Sequence, residues 1–380
     1  MSGQSTICVH AGETKEATGS LVTPIYQTST FYYPEWQKEY VYTRLSNPTI
    51  EAAESKLAAL EGGDGCLVFS SGMAAITATL LSVLEKGDHL VSIPDLYGGT
   101  RVLLDKELPR HGIAVSLVDC EDFSALEDAL TQETRAILIE TPTNPLLRVL
   151  DMKMIAKVAH RNSAILVVDN TFATPINQRP LELGADIIVH SASKYLNGHS
   201  DVVAGFAVSS EEWIERIEQR RRLFGGSTDP LAAFLITRGM KTLDLRMRVH
   251  NGNGMAVAEA LEGMKHVGKV HYPGLTSFGH HALAKRQMRG FGGMVSFEVG
   301  RAAKDARRVS RRFELIKLAS SLGGVESLAS LPLETSHKYI SAKERRESGI
   351  PDNLIRLSIG IENSEDIIED LERAIPGGKR

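Results

Sequence analysis

The sequence predicts an α/β protein, with a mostly parallel sheet between layers of helices and a smaller C-terminal α+β unit behind it. Three observations carry this. Short, almost wholly apolar runs at 66–69, 89–93, 114–118, 136–140, 165–168 and 187–189 read as strands buried on both faces. Helical stretches such as 123–130 and 154–160 separate most of them, the alternation expected of a parallel sheet with helices on each side. After a long helical region at 229–261 the pattern changes to strands at 294–298 and 354–361, and a helix near 365–374 closes the chain.

Residues 1–47 read as an arm, rich in Thr, Ser, Tyr and Pro and with little periodicity. From Thr49 a helical face appears, built by Ala52, Ala53, Lys56, Leu57 and Leu60 and closed by Gly62 and Gly63. The expected organisation is therefore an arm at 1–47, a large domain at 48–245 and a small C-terminal domain at 246–380.

Of the 380 residues, 42% are hydrophobic and 24% charged, and the formal charge is -4. This balance argues against a nucleic-acid or membrane-surface binder, which would present a basic face. The first residues are polar, without an apolar signal segment. The longest nearly continuous apolar run, 73–84, falls short of the ~20 residues that span a bilayer. A cytoplasmic protein is the expectation. Cys8, Cys66 and Cys120 are widely spaced and form neither a CxxC pair nor a disulfide framework.

In open parallel sheets ligands gather beyond the carboxyl ends of the strands. Three of these ends hold residues with chemistry. After 66–69 comes Ser70-Ser71-Gly72-Met73, where small residues at a helix N-terminus leave backbone N–H groups free for a phosphate. After 165–168 comes Asp169, a carboxylate that needs a partner where it is buried, either a basic side chain or a cationic ring nitrogen. After 187–189 comes His190-Ser191-Ala192-Ser193-Lys194. A lysine desolvated there has its pKa lowered and becomes an amine nucleophile. Each feature alone has a plainer reading: a capped helix, a structural salt bridge, a surface lysine. Together, at one edge of one sheet, they form the set a pyridoxal phosphate (PLP) site needs: a phosphate anchor, an acid for the ring nitrogen and an amine for the aldehyde.

The motifs extend over nearly the whole chain. They include Val41 to Arg44 with Asn47-Pro48-Thr49, Ser70 to Ala75, Leu96 to Thr100 and Glu140 to Pro145. Val168 to Phe172, Ser191 to Asp201, Gly324 to Leu328 and Leu354 to Ser358 complete the set. In this order they resemble the Cys/Met-metabolism family of fold-type I PLP enzymes, which includes cystathionine γ-lyases and γ-synthases. The resemblance implies a seven-stranded sheet, PLP as cofactor, and a sulfur-linked amino acid as substrate. It implies that Lys194 is the Schiff-base lysine and proton shuttle, that Asp169 keeps the ring nitrogen protonated, and that Tyr97 stacks on the ring and assists proton transfer. It assigns Ser71, Gly72, Met73, Ser191 and Ser193 to the phosphate and Asn144 to the ring 3-oxygen. Tyr42 and Arg44 are expected to reach the phosphate of a neighbouring subunit in a homotetramer with shared active sites. Arg356 is expected to clamp the substrate α-carboxylate, with Ser327 and Glu326 beside it.

Within the family, Gly99 stands where methionine γ-lyases usually carry cysteine, and Glu326 is typical of cystathionine γ-lyases and γ-synthases. The expected reaction is γ-elimination of cystathionine, with γ-synthesis from an activated homoserine ester as the alternative. Two departures bear on this: Arg101 sits one position early after the Tyr-Gly-Gly-Thr motif, and Glu334, Ser336 and Tyr339 replace a more usual Met-Thr-His-Ala-Ser stretch. Two other classes are disfavoured. An NAD-dependent dehydrogenase would need G-x-G-x-x-G after its first strand, and neither Gly63-Asp-Gly65 nor Gly252-Asn-Gly254 has that context. A metalloenzyme using His190, His199, His280 and His281 lacks HExxH or Cys-rich spacing, so no metal is expected.

Overall fold

A computed structural model describes residues 3–13, 18–32, 40–336, 338 and 341–375. Local signals bound the first large helix, Pro48–Glu61. The Asn47 side chain accepts the Thr49 N–H at 2.9 Å, Pro48 opens the helix, and Gly62 closes it at φ +79°. Strands β1 (Gly65–Phe69), β2 (His89–Ser92), β3 (Ala114–Leu117), β4 (Thr134–Glu140), β5 (Ile165–Asp169), β6 (Ile187–Ser191) and β7 (Gly205–Ser209) then form one sheet. Its order is β1-β7-β6-β5-β4-β2-β3. β7 is antiparallel to both its neighbours, and the other pairings are parallel. The carboxyl ends of β1, β2, β4, β5 and β6 therefore share one edge, as expected.

Alternate residues of β1 serve opposite faces. Leu67 and Phe69 join the core under the helices Gly72–Val83 and Met152–Arg161, while Cys66 and Val68 join the core under Pro48–Glu61 and Pro230–Met240. Both faces are apolar, which accounts for the uninterrupted hydrophobic runs. Cys8, Cys66 and Cys120 are free thiols in the interior.

A second sheet has the order β10-β11-β12-β9-β8, from β8 (Val267–His271), β9 (Met294–Val299), β10 (Lys317–Leu318), β11 (Leu328–Ser330) and β12 (Leu354–Ser358). The helix Ser364–Ala374 packs on it through Ile367, Leu371 and Ala374. The expected boundary at 245/246 falls inside the helix Leu243–Glu262, whose start packs with the first sheet (Leu243, Met247) and whose end packs with the second (Val257, Leu261).

Three local expectations are corrected. The arm is not wholly irregular: Gln4–His10 is helical, because the buried Lys56 ammonium donates to the carbonyls of Cys8 at 2.8 Å and Val9 at 3.3 Å and so caps its C-terminus. The long helical region at 229–261 is two helices, Pro230–Met240 and Leu243–Glu262. The buried Arg246 guanidinium takes the Gly239 carbonyl at 2.8 Å and the Tyr195 carbonyl at 2.8 Å, which supports the break and ties it to the segment after Lys194. The third is β7, whose glycine-led sequence did not stand out as a strand. No helix among the described residues is long and apolar enough to cross a membrane.

Candidate active site

The strand ends converge as the sequence predicts. Ser71 caps the helix Gly72–Val83, its hydroxyl accepting the Ala74 N–H at 3.1 Å. The N–H groups of Gly72 and Met73, in the first turn, have no intrahelical acceptor. A Cβ on Gly72 would lie 2.9 Å from the Ser191 Cβ, and one on Gly205 would overlap the Ser71 carbonyl. Only backbone can stand here, which leaves a shallow cradle with the Ser191 side chain at its wall. The Ser193 hydroxyl is engaged by Ala204, whose N–H it accepts at 3.0 Å and whose carbonyl it reaches at 3.3 Å.

Asp169 ends β5 beside this cradle. Its Oδ1 accepts the Thr171 N–H at 2.9 Å and the Thr171 hydroxyl at 2.5 Å, and that hydroxyl in turn accepts the Ser191 N–H at 2.8 Å. One threonine thus ties the acid to the strand that leads to Lys194. Burial pushes the Asp169 carboxyl up, against the pull of the Thr171 bonds and of His190. Glu140 ends β4 in register with Asp169. It is buried, and its Oε2 accepts the Tyr97 N–H at 2.8 Å. Burial and the Asp169 charge hold the Glu140 carboxyl well above the ordinary range. Tyr97 itself is exposed, and a Cβ on Gly99 would lie 2.6 Å from its ring and 3.2 Å from the Met73 sulfur. The Tyr97 ring and the Met73 sulfur thus both border Gly99.

Lys194 completes the cluster. Its ammonium donates to the Ser321 hydroxyl at 2.8 Å. Burial, helped by the Arg356 charge, lowers its pKa to about 8. Arg356, on β12, is itself buried. It donates through Nη1 to Asn144 Oδ1 at 2.9 Å and through Nη2 to the Ser321 carbonyl at 3.4 Å. Desolvation depresses its pKa to about 10. A buried guanidinium whose hydrogen bonds among the described residues go to neutral acceptors is ready for a carboxylate. The small domain thus places Arg356 and Ser321 against the large domain's Lys194 and Asn144.

Some expected residues stand elsewhere. The Ser327 hydroxyl donates to Glu362 at 2.9 Å and accepts the Gly360 N–H at 2.9 Å. Ser321, which carried no sequence signal, holds the place beside Lys194 and Arg356, with a left-handed φ of 90°. Glu326 accepts the Ser200 hydroxyl on a loop resting against the segment after Lys194, where Val325 N–H meets the Gly198 carbonyl at 3.1 Å. Tyr42 and Arg44 lie in a separate open cavity of about 360 Å³ with Thr28, Ser227 and Thr228. There Arg44 donates to the Arg222 carbonyl at 2.7 Å. Arg101 pairs with Asp105 at 2.7 Å and donates to the Pro94 carbonyl at 3.0 Å. Glu334 pairs with Arg307 on the surface, and the Ser336 carbonyl presses on Gly98. Tyr339 lies outside the described residues. Glu140 and Thr171 were within recognised motifs, but their roles appear only through tertiary contacts.

The arrangement fits PLP: a glycine-backed anion seat walled by Ser191, the Asp169 carboxyl beside it and a low-pKa amine within one cluster. Comparison with known proteins agrees. Residues 5–376 match the family model described as Cys/Met metabolism PLP-dependent enzyme. The chain is 46% identical over 381 residues to a cystathionine beta-lyase of Lactococcus lactis subsp. cremoris (99% of each chain). It is 42% identical over 387 residues to an L-methionine gamma-lyase of Fusobacterium nucleatum (98% of each). A crystal structure of cystathionine gamma-lyase from Lactobacillus plantarum complexed with L-serine superposes with a TM-score of 0.94 at 41% identity, covering 98% of each chain.

Proposed function

This chain belongs to the Cys/Met metabolism PLP-dependent enzyme family, and we propose that within it the chain is a cystathionine γ-lyase, releasing cysteine, 2-oxobutanoate and ammonia from cystathionine. The Lys194–Ser321–Arg356–Asn144 cluster carries this reading. Lys194 would hold the cofactor through its amine, Asp169 its ring nitrogen, and Ser71, Gly72, Met73, Ser191 and Ser193 its phosphate. Asn144 would meet the ring oxygen, and Tyr97 would cover the ring face. Bound there, PLP supplies an electron sink for negative charge developing at the substrate α-carbon.

The protein's own groups do the rest. Arg356 holds the α-carboxylate as a bidentate fork, with Asn144 fixing one arm of the guanidinium. This presents the α-hydrogen to the Lys194 amine, which is substantially neutral near pH 8. Once it has given up that proton to the electron sink, the freed Lys194 amine would remove a β-hydrogen before the γ-sulfur leaves, and the Tyr97 hydroxyl would protonate the departing sulfur. Such positioned acid–base groups contribute about 10²–10⁴-fold. Glu326, which accepts the Ser200 hydroxyl on the loop beside the segment after Lys194, would meet the distal amino group of cystathionine only if that loop borders the bound substrate. Gly99 supports this branch over methionine γ-elimination, since a side chain there meets the Tyr97 ring.

A β-elimination reading is favoured by the 46% identity to a relative named cystathionine beta-lyase. A γ-synthase reading is the other alternative. Product analysis separates the three. Cystathionine alone giving 2-oxobutanoate and cysteine supports the γ-lyase. Pyruvate with homocysteine would refute it in favour of β-elimination, and efficient cystathionine formation from a homoserine ester and cysteine would favour the synthase. We also propose a homotetramer in which Tyr42 and Arg44 complete a neighbour's phosphate seat. Light scattering that gives a monomer would refute that arrangement.

A further inference from the structure

The segment 94–97, which carries Tyr97, is gripped twice by one other stretch of chain, 140–148. At one end of that stretch Glu140 Oε2 accepts the Tyr97 N–H at 2.8 Å. At the other end the Arg148 guanidinium forks onto Asp95, with Nε donating to Oδ2 at 3.0 Å and Nη2 to Oδ1 at 2.7 Å. Glu140 and Asp95 are both buried, so these charge-assisted bonds are not readily exchanged for bonds to water. Arg148 has a further anchor, since its Nη1 donates to both oxygens of Asp119, just beyond β3, at 3.0 and 3.1 Å.

Between the two grips lies Asn144, the acceptor for Arg356. Its turn closes on itself. The Thr143 N–H donates to the Arg148 carbonyl at 2.9 Å, and the Arg148 N–H donates to the Thr143 hydroxyl at 3.2 Å. The backbone of Arg148 therefore shapes the Asn144 turn while its side chain holds Asp95. A single hydrogen bond would leave the Tyr97 segment free to pivot. Two attachments, two residues apart, restrain both its position and its tilt.

Neither Glu140 nor Arg148 has a part in the reaction above. We propose that both are positioning residues that lock the Tyr97 segment to the Asn144 turn, so that the tyrosine ring and the Arg356 fork keep one fixed spacing. The inference deepens the reading of the site given above and rests on it. Glu140 acts through the Tyr97 main chain, and Arg148 acts through Asp95 and the Asn144 turn. Misplacing a reacting group by about 1 Å can cost about 10²-fold in rate, so a lock of this kind bears directly on turnover.

Hydrogen exchange at the Tyr97 amide, measured on the full chain with and without PLP, reads the lock itself. The amide is expected to exchange slowly in the wild type and to quicken about tenfold or more in Glu140→Ala. Glu140→Gln, whose side-chain carbonyl still accepts, should restore slow exchange. Arg148→Lys keeps the charge and loses the fork, and the Tyr97 amide should quicken there too, although Arg148 does not touch it. A wild-type amide in Arg148→Lys overturns the lock, whether or not PLP is bound. Kinetics of the holoenzyme give the second readout. Tyr97→Phe should lower kcat about 10²-fold in the wild-type background. In Arg148→Lys, where the ring has already lost its place, the same change should cost less than about tenfold. Equal losses in the two backgrounds overturn the proposal, because a residue that only stabilised the fold would leave the two effects independent. Arg148→Lys should also raise KM for the amino acid turned over, through Asn144 and Arg356, and an unchanged KM overturns that side of the lock. A chain that takes up no PLP overturns the reading of the site and this inference with it, whereas any of the other failures leaves that reading standing.

Discussion

Titrating the Lys194 amine tests the site most directly. An ordinary lysine titrates near 10.5, and burial with the Arg356 charge brings this one to about 8. At pH 7.5 an ordinary lysine is about 0.1% neutral, and one with pKa about 8 is roughly a quarter neutral, a gain of about two hundredfold in reactive amine. The assay is competitive acetylation of the cofactor-free protein across pH 6–10.5, followed by peptide mass spectrometry. Below the midpoint the labelling rate of Lys194 should rise tenfold per pH unit, and it should level off above about pH 8.5, while exposed lysines keep climbing. Removing the neighbouring charge with Arg356→Gln should move the Lys194 midpoint upward, because that cation disfavours the ammonium. A Lys194 rate that climbs without a plateau to pH 10, or a midpoint that falls in Arg356→Gln, would refute the reasoning.

Other expectations concern the cradle, the clamp and the frame. Gly72→Ala forces a Cβ to within 2.9 Å of Ser191; overpacking of about 1–3 kcal/mol should weaken PLP binding about 5- to 150-fold, read by equilibrium dialysis. Arg356→Lys keeps the charge but loses the fork to Asn144, so kcat/KM should fall about 10²-fold with little change in cofactor content. Asp370 accepts the N–H groups of Glu314 at 2.9 Å, Leu315 at 3.1 Å and Ile316 at 2.9 Å. Asp370→Ala should cost about 2–4 kcal/mol in denaturant unfolding by leaving those donors unpaired. These bonds and Arg373 hold the Asp370 carboxyl below its ordinary value despite burial. Its contribution is therefore present above the unfolded value of about 3.9 and lost as pH falls through the lower folded value, so the difference from the variant should shrink below about pH 4.

By itself the amino-acid order determined the layered α/β architecture, because strands buried on both faces must be apolar throughout and helices between them must carry caps such as Ser71 and Gly62. It also placed Ser71, Asp169 and Lys194 at one edge, since parallel strands align their carboxyl ends. Local pattern could not show that Lys56 would cap the first helix, that Gly239 and Arg246 would mark a helix break, or that a glycine-led segment would become β7. Those depend on partners far away in the chain. The same holds within the site. Ser321 and Arg356 reach Lys194 only because the second sheet docks on the first, and Ser327, adjacent to Glu326 in the motif, is drawn to Glu362 instead. Strand ends follow from periodicity and burial, whereas side-chain pairing between sheets follows from how they pack, and only the tertiary structure decides that.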